Sequence, residues 1–183
     1  EKELKRQDLD KKIRKIIEEE IRIAKEEAKK NNLKSNKLTS KSIILSSEFI
    51  KNKGKLPWPL ESGIIINRYG THKHAVFNSV ETFNNGIDIA TEKNALVRAV
   101  FKGKVSRIFF IKGEGKAILI NHGEYFSVYS GLKDVSVKEG DEIRTKEEIG
   151  VLKTDEEQNK TELHFEIWKS YEKQDPSKWL YNA

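Results

Sequence analysis

From residue 63 onward this sequence is a succession of short apolar runs, each closed by a turn signal. Ile64-Ile65-Ile66, Gly86 to Ala90, Leu96 to Phe101, Val105 to Ile111, Lys116 to Asn121, Tyr125 to Gly131, Glu148 to Leu152 and Leu163 to Trp168 all read as strands. Gly103, Gly113, Gly115, Gly123 and Gly140 punctuate them. Runs this short have no room for a stable helix, whereas strands of a few residues joined by glycine turns build antiparallel sheets. The pattern predicts a mainly β domain, sandwich or barrel-like.

The first 32 residues differ from everything that follows. Leu9, Ile13, Ile16, Ile17, Ile21, Ala24 and Ala28 recur at three- and four-residue spacing amid Lys, Arg and Glu, with no Gly or Pro. This spacing predicts a long amphipathic N-terminal helix ending near Asn31-Asn32, where Asn tolerates a left-handed cap. The apolar stripe is narrow and flanked by charge, which suits the end of a coiled coil, a helix seated in a groove, or a helix packed on its own domain. Such a helix alone in water is marginal and must find a surface.

Residues 33–55 read as a linker, rich in Ser, Lys, Asn and Thr at its start, with a short helical turn over Ser42 to Phe49. The domain then spans 56–183. It opens on Leu56-Pro57-Trp58-Pro59-Leu60, where two prolines fix an extended segment around a Trp anchor. It closes on Asp175-Pro176-Ser177-Lys178-Trp179-Leu180, a turn that tucks Trp179 against the body.

At 183 residues the chain can bury a sizeable core. No cysteine is present, so disulfides and thiolate metal sites are excluded. The net charge of +6 comes from 35 basic and 29 acidic residues that are finely interspersed. No basic-aromatic stripe accompanies it, so nucleic acid is not an expected partner. No run approaches the ~18 apolar residues of a membrane span. The chain begins at Glu1 and holds no methionine, so it is expected to be a piece of a longer protein.

Two segments carry the chemistry, Asn84-Asn85-Gly86-Ile87-Asp88 and Glu162-Leu163-His164-Phe165-Glu166. Period-two alternation places Glu162, His164 and Glu166 on one strand face. Asp88 and His164 are zinc-type ligands without an evident third partner. A mixed site of Asp88, Glu162 and His164 would suit iron or manganese better than zinc. His72 and His74 form a second i,i+2 pair, a spacing that could chelate, but they read as a solvated loop. His122, before Gly123, reads as scaffold.

With these segments in hand, residues 57–180 resemble lysostaphin-type (LytM) zinc endopeptidase domains, which cut peptide cross-links in bacterial cell wall. The resemblance rests on Pro57-Trp58-Pro59, Arg68-Tyr69-Gly70, Asn84 to Ala90, Ala99 to Val105, Ile120-Asn121-His122-Gly123 and Tyr129-Ser130-Gly131-Leu132. It continues through Val137-Lys138-Glu139-Gly140-Asp141, Leu163 to Ile167 and Asp175-Pro176, in the family's order. Active members use H-x-G-x-D, Y-x-H-L and H-x-H. Carried over by position, Asn84 stands at the first zinc ligand, Asp88 at the second and His164 at the third. Gly131 and Glu162 stand at the two catalytic histidines.

A catalytic zinc wants about three protein ligands and a water. Asn is a poor substitute for imidazole, and glycine offers nothing to orient a nucleophile. The resemblance therefore implies a non-enzyme with no cofactor and no metal, its ligand positions Asn84, Asp88 and His164 vestigial. The chain is most similar to the branch of EnvC-like murein hydrolase activators, which join a coiled coil to a degenerate LytM domain.

That branch implies a periplasmic activator of a cell-wall N-acetylmuramoyl-L-alanine amidase in daughter-cell separation in a Gram-negative envelope. A cell-division ABC-transporter-like membrane complex would hold the coiled coil. The expected partner groove comprises Arg68, Tyr69, Asn84, Asn85, Asp88, Tyr129, Gly131, Glu162 and His164. Residues 1 to about 32 are a candidate self-inhibitory arm. The competing readings are a passive peptidoglycan-binding module and a residual metallo-endopeptidase.

Overall fold

The computed structural model describes the backbone of residues 2–30, 35–73 and 81–183. Side chains are described for 6–26, 40–72 and 82–183. Helix α1 (Lys2–Lys30) and helix α2 (Ser35–Lys51) precede the strands. In chain order these are β1 (Ile64–Asn67), β2 (Gly70–Lys73), β3 (Glu81–Asn84), β4 (Ile87–Thr91), β5 (Leu96–Arg98), β6 (Gly103–Ile111) and β7 (Gly115–Asn121). They continue with β8 (Tyr125–Val135), β9 (Glu142–Ile143), β10 (Glu148–Leu152), β11 (Thr154–Asp155), β12 (Lys160–Lys169) and β13 (Glu172–Gln174), before a 3-10 turn at Pro176–Lys178.

Among the described residues, eleven strands join one antiparallel sheet whose main path runs β1-β4-β12-β8-β7-β6-β9. The ribbon β2-β3 stands apart. A mainly antiparallel β domain with a long N-terminal helix is thus what the apolar runs and the helical stripe predicted. Strand alternation then gives the sheet two apolar faces. On β7, Ile118 and Ile120 enter the larger core while Leu119 enters the smaller. On β12, Leu163, Phe165 and Ile167 enter the larger core, and Trp168 the smaller.

Each face is covered by one helix. Phe49 of α2 closes the larger core, stacking on Tyr125 and His122 and lying 4.9 Å from the Trp179 ring. Leu9, Ile13 and Ile17 of α1 close the smaller, packed with Ile111, Leu119, Phe126, Val128 and Trp168. Fully burying three such side chains stabilises the docked helix by about 1.5–3 kcal/mol each.

One expectation changes here. The expected linker at 33–42 is largely helical, because α2 begins at Ser35. Its polar composition has weak helix propensity, and packing of Leu45, Ser46 and Phe49 against the sheet overrides it. The cap expected at Asn31-Asn32 lies outside the described residues, although α1 does run to Lys30. No helix among the described residues is long and apolar enough to cross a membrane.

Candidate functional site: a guanidinium over Asp88 and Asn84

The face of β12 that carries Trp168 also carries His164 and Glu166, so the site and the docking face of α1 are one surface. Antiparallel pairing sets Asp88 of β4 directly opposite His164, and Ser130 of β8 opposite it on the other side. Gly86 permits this approach, since a Cβ there would stand 2.1 Å from the Phe165 carbonyl oxygen.

His164 sits between two carboxylates. Its Nδ1 is 2.8 Å from Asp88 Oδ1 and its Nε2 is 2.7 Å from Glu166 Oε2. Both ring nitrogens face acceptors, so both donate and the ring is an imidazolium. Burial by itself would lower the His164 pKa, but the hydrogen bonds to Asp88 and Glu166 carry it up to about 9. The indole N–H of Trp168 donates to Glu166 Oε1 at 2.8 Å, which ties the site to the smaller core. Asp88, only 1% exposed, also accepts from Asn67 Nδ2 at 3.0 Å.

The remaining partner comes from α1. Arg6 lies on the same helical face as Leu9, Ile13 and Ile17, so docking that stripe carries its guanidinium over β4. Nη2 donates to Asp88 Oδ1 at 2.7 Å and Nη1 to Asp88 Oδ2 at 3.1 Å. Nη1 also donates to Asn84 Oδ1 at 3.3 Å. This is the two-pronged Arg–carboxylate geometry, the strongest form of such a pair. Burial opposes the charge on Asp88, yet His164 and Arg6 hold its carboxyl well below the usual range. Around this centre Lys173 pairs with Asp10, Arg107 with Glu19 and Glu20, and Lys12 Nζ donates to the Phe110 carbonyl.

A zinc ion does not fit this arrangement. Both Asp88 oxygens are taken by Arg6, both His164 nitrogens by carboxylates, and the first ligand position is the amide of Asn84, whose oxygen also faces Arg6. Among the described residues no group of three or more His, Asp or Glu is placed to hold a metal. Gly131, at a catalytic position in the family pattern, has φ +96°, where a histidine would be strained. The second carboxylate hydrogen-bonded to His164, beside Asp88, is Glu166.

Of the residues expected to form a groove, Asp88, Gly131, Glu162 and His164 line one cleft of about 610 Å³ together with Arg6, Ser130 and Lys153. Asn84 is buried and reaches the cleft through Arg6. Asn85 is half-buried beside it. Arg68 is exposed and Tyr69 half-buried with its hydroxyl 3.5 Å from the Lys173 carbonyl, and neither lines the cleft.

Tyr129 is a correction. It lies wholly in the larger core, its hydroxyl accepting from Val100 N–H at 3.0 Å and standing 2.9 Å from Ser127 Oγ. Tyr129→Phe is expected to lose about 1–3 kcal/mol of unfolding free energy in denaturant titration, because it leaves a buried N–H unpaired, with no effect on partner binding. His122 is scaffold as read, between the Lys102 carbonyl and Ser127 Oγ at 2.7 Å each. His72 lies near the Arg68 carbonyl, and His74 falls outside the described residues.

Arg6 of α1 thus forms one wall of this cleft, bonded to Asp88 and Asn84. A basic residue in register with an apolar stripe demands a counter-charge on the docking surface, and that signal was present at Arg6. Glu166 and Trp168 were visible in the strand pattern, but nothing local marked them as a support for His164.

Comparison with known proteins agrees with this geometry. Residues 82–176, just over half of the chain, match the profile of Peptidase family M23. The murein hydrolase activator EnvC of Escherichia coli (strain K12) is 25% identical over 129 residues, 70% of this chain and 29% of that protein. The chain therefore spans less than a third of that relative's length. A chain of the SpoIIQ–SpoIIIAH pore-forming complex superposes with a TM-score of 0.60 at 22% identity, covering 70% of this chain and 92% of that one. A zinc-containing peptidase from Vibrio cholerae superposes with a TM-score of 0.58 at 24% identity, covering 69% and 40% respectively. These two likenesses are of fold. The profile match over more than half of the chain shows that this chain belongs to Peptidase family M23, with a LytM-type domain related to EnvC.

Proposed function

We propose that this chain is a non-enzymatic murein hydrolase activator of the cell envelope, in which α1 holds the activating groove closed. The observation that carries the reading is the Arg6 fork on Asp88 and Asn84. The position that would hold a catalytic cation in a peptidase is satisfied by a side chain of the same polypeptide. The M23 fold and the likeness to EnvC are consistent with an activator role.

The partner is a cell-wall N-acetylmuramoyl-L-alanine amidase, which takes the face of β4, β8 and β12 once α1 withdraws. The rest of the helical arm reaches a cell-division ABC-transporter-like membrane complex in the periplasm. Activation is then a shift between a closed and an open state, and the releasing partner must favour the open one. Going from about 1:99 to 99:1 requires roughly 5.5 kcal/mol of differential affinity.

The direct experiment is amidase stimulation by the full chain and by a form lacking residues 1–40. The shortened form is expected to stimulate at lower concentration and to a higher plateau. Equal stimulation by the two would end the self-inhibition reading, and stimulation by neither would leave passive binding to purified cell wall as the function. Release of peptide fragments with stoichiometric zinc would instead establish an endopeptidase.

A further inference from the structure

We infer that the degenerate metal centre is a receptor for a guanidinium group, filled by Arg6 in the closed state and by an arginine of the activated partner in the open one. The second half of this inference rests on the activator reading above; the first does not.

Three acceptors, Asp88 Oδ1, Asp88 Oδ2 and Asn84 Oδ1, meet the two terminal nitrogens of Arg6 at 2.7, 3.1 and 3.3 Å. A planar fork satisfies them together, whereas an ammonium is a point charge without that geometry. The acceptors keep supports that do not depend on α1. Asn67 holds Asp88 Oδ2 at 3.0 Å, His164 holds Asp88 Oδ1 at 2.8 Å, and the Gly86 N–H lies 3.3 Å from Asn84 Oδ1. Trp168 and Glu166 fix His164 from behind. The receptor is therefore preorganised when the helix leaves.

Charge completes the argument. Asp88 and Glu166 contribute two negative charges and the doubly hydrogen-bonded His164 one positive, so Arg6 brings the buried centre to neutrality. Withdrawing Arg6 leaves one net negative charge on the cleft that Asp88 lines. A carboxylate whose hydrogen-bonded cation departs favours a ligand that restores a charge-assisted pair. An opened groove thus selects a partner that returns a cation, and the fork of acceptors selects arginine over lysine. The chemistry required of that partner is an arginine placed to lie over Asp88.

The test uses the full chain with Arg6→Ala and methylguanidinium chloride as probe. Thermal melting is followed against methylammonium chloride at equal ionic strength. Methylguanidinium is expected to raise the melting temperature saturably by about 2–4 °C, with half-saturation on the order of 10 mM. Methylammonium should not, and neither should act on the unmodified chain. The effect should vanish in Arg6→Ala combined with Asp88→Asn. Should Arg6→Ala not melt cooperatively, Arg6→Gln serves in its place.

Equal stabilisation by both cations, no saturable effect, or a preference for zinc chloride would each overturn the receptor. Methylguanidinium should also suppress amidase stimulation by Arg6→Ala at the concentration that raises melting. Binding without suppression would overturn the partner-arginine half alone. Probe binding by a chain that stimulates no amidase would defeat the activator reading and the partner half while leaving the receptor standing.

Discussion

Ile13→Asp is expected to raise amidase stimulation by the full chain at least about tenfold, with the sheet still folded. Ile13 is wholly buried at the middle of the apolar stripe that seats α1, between Leu9 and Ile17. The substitution removes about 2 kcal/mol of apolar burial and places an unpaired carboxylate against Leu119, Phe126, Val128 and Trp168. Docked α1 cannot relax around that charge, whereas the undocked helix carries it in water without penalty. The larger core lies on the opposite face and does not contain α1, so the domain retains Phe49, Tyr129, Phe165 and their neighbours. Limited trypsin digestion should cut the Lys- and Arg-rich helix first, and Trp168 fluorescence should shift to the red. Release of α1 without a gain in stimulation would separate helix docking from control, and the self-inhibitory reading would fall.

The second large effect is on stability against pH, with a maximum near pH 6.5. His164 has its pKa raised to about 9, so its contribution is fully present below the unfolded value of about 6.5 and is lost as pH rises toward 9. His122 behaves oppositely. Its burial, only partly offset by the Lys102 carbonyl, lowers its pKa to about 4, so its contribution is present above about 6.5 and is lost as pH falls toward 4. Each shift corresponds to something on the order of 3 kcal/mol. Asp88, held below the ordinary carboxylate range, adds to the acid side, where its contribution disappears as it protonates. Urea unfolding at intervals from pH 4 to 9.5 reads both limbs. His164→Gln should flatten the alkaline limb and leave the acid limb in place. A wild-type curve flat between pH 6.5 and 9 would show that His164 is not held as an imidazolium between Asp88 and Glu166.

Much of the architecture was legible before any coordinates. The strands come from local alternation, as in Lys116 to Asn121, where Ile118 and Ile120 face one way and Leu119 the other. The helix over the first 30 residues follows from period, and the shared face of His164 and Glu166 follows from strand geometry. Helix α2 was under-read because its composition is weakly helical and its order comes from Phe49 docking on Tyr125 and Trp179. Tyr129 was misassigned for a related reason. A tyrosine on a strand has two faces to choose from, and only the packed sheet shows that this one turns inward to Val100 and Ser127.

By itself, then, the sequence determined the β domain and the amphipathic arm, because each is a local property of residue type and spacing; that Asn84, Gly131 and Glu162 stand at exchanged positions is what the family resemblance implies. What fills the exchanged site depends on a contact across 82 positions of chain, Arg6 on Asp88. No local rule couples residues so far apart. The tertiary structure decides it, by laying the stripe of α1 on the same sheet face that carries His164, so that burying Leu9, Ile13 and Ile17 delivers a cation to the buried carboxylate of Asp88.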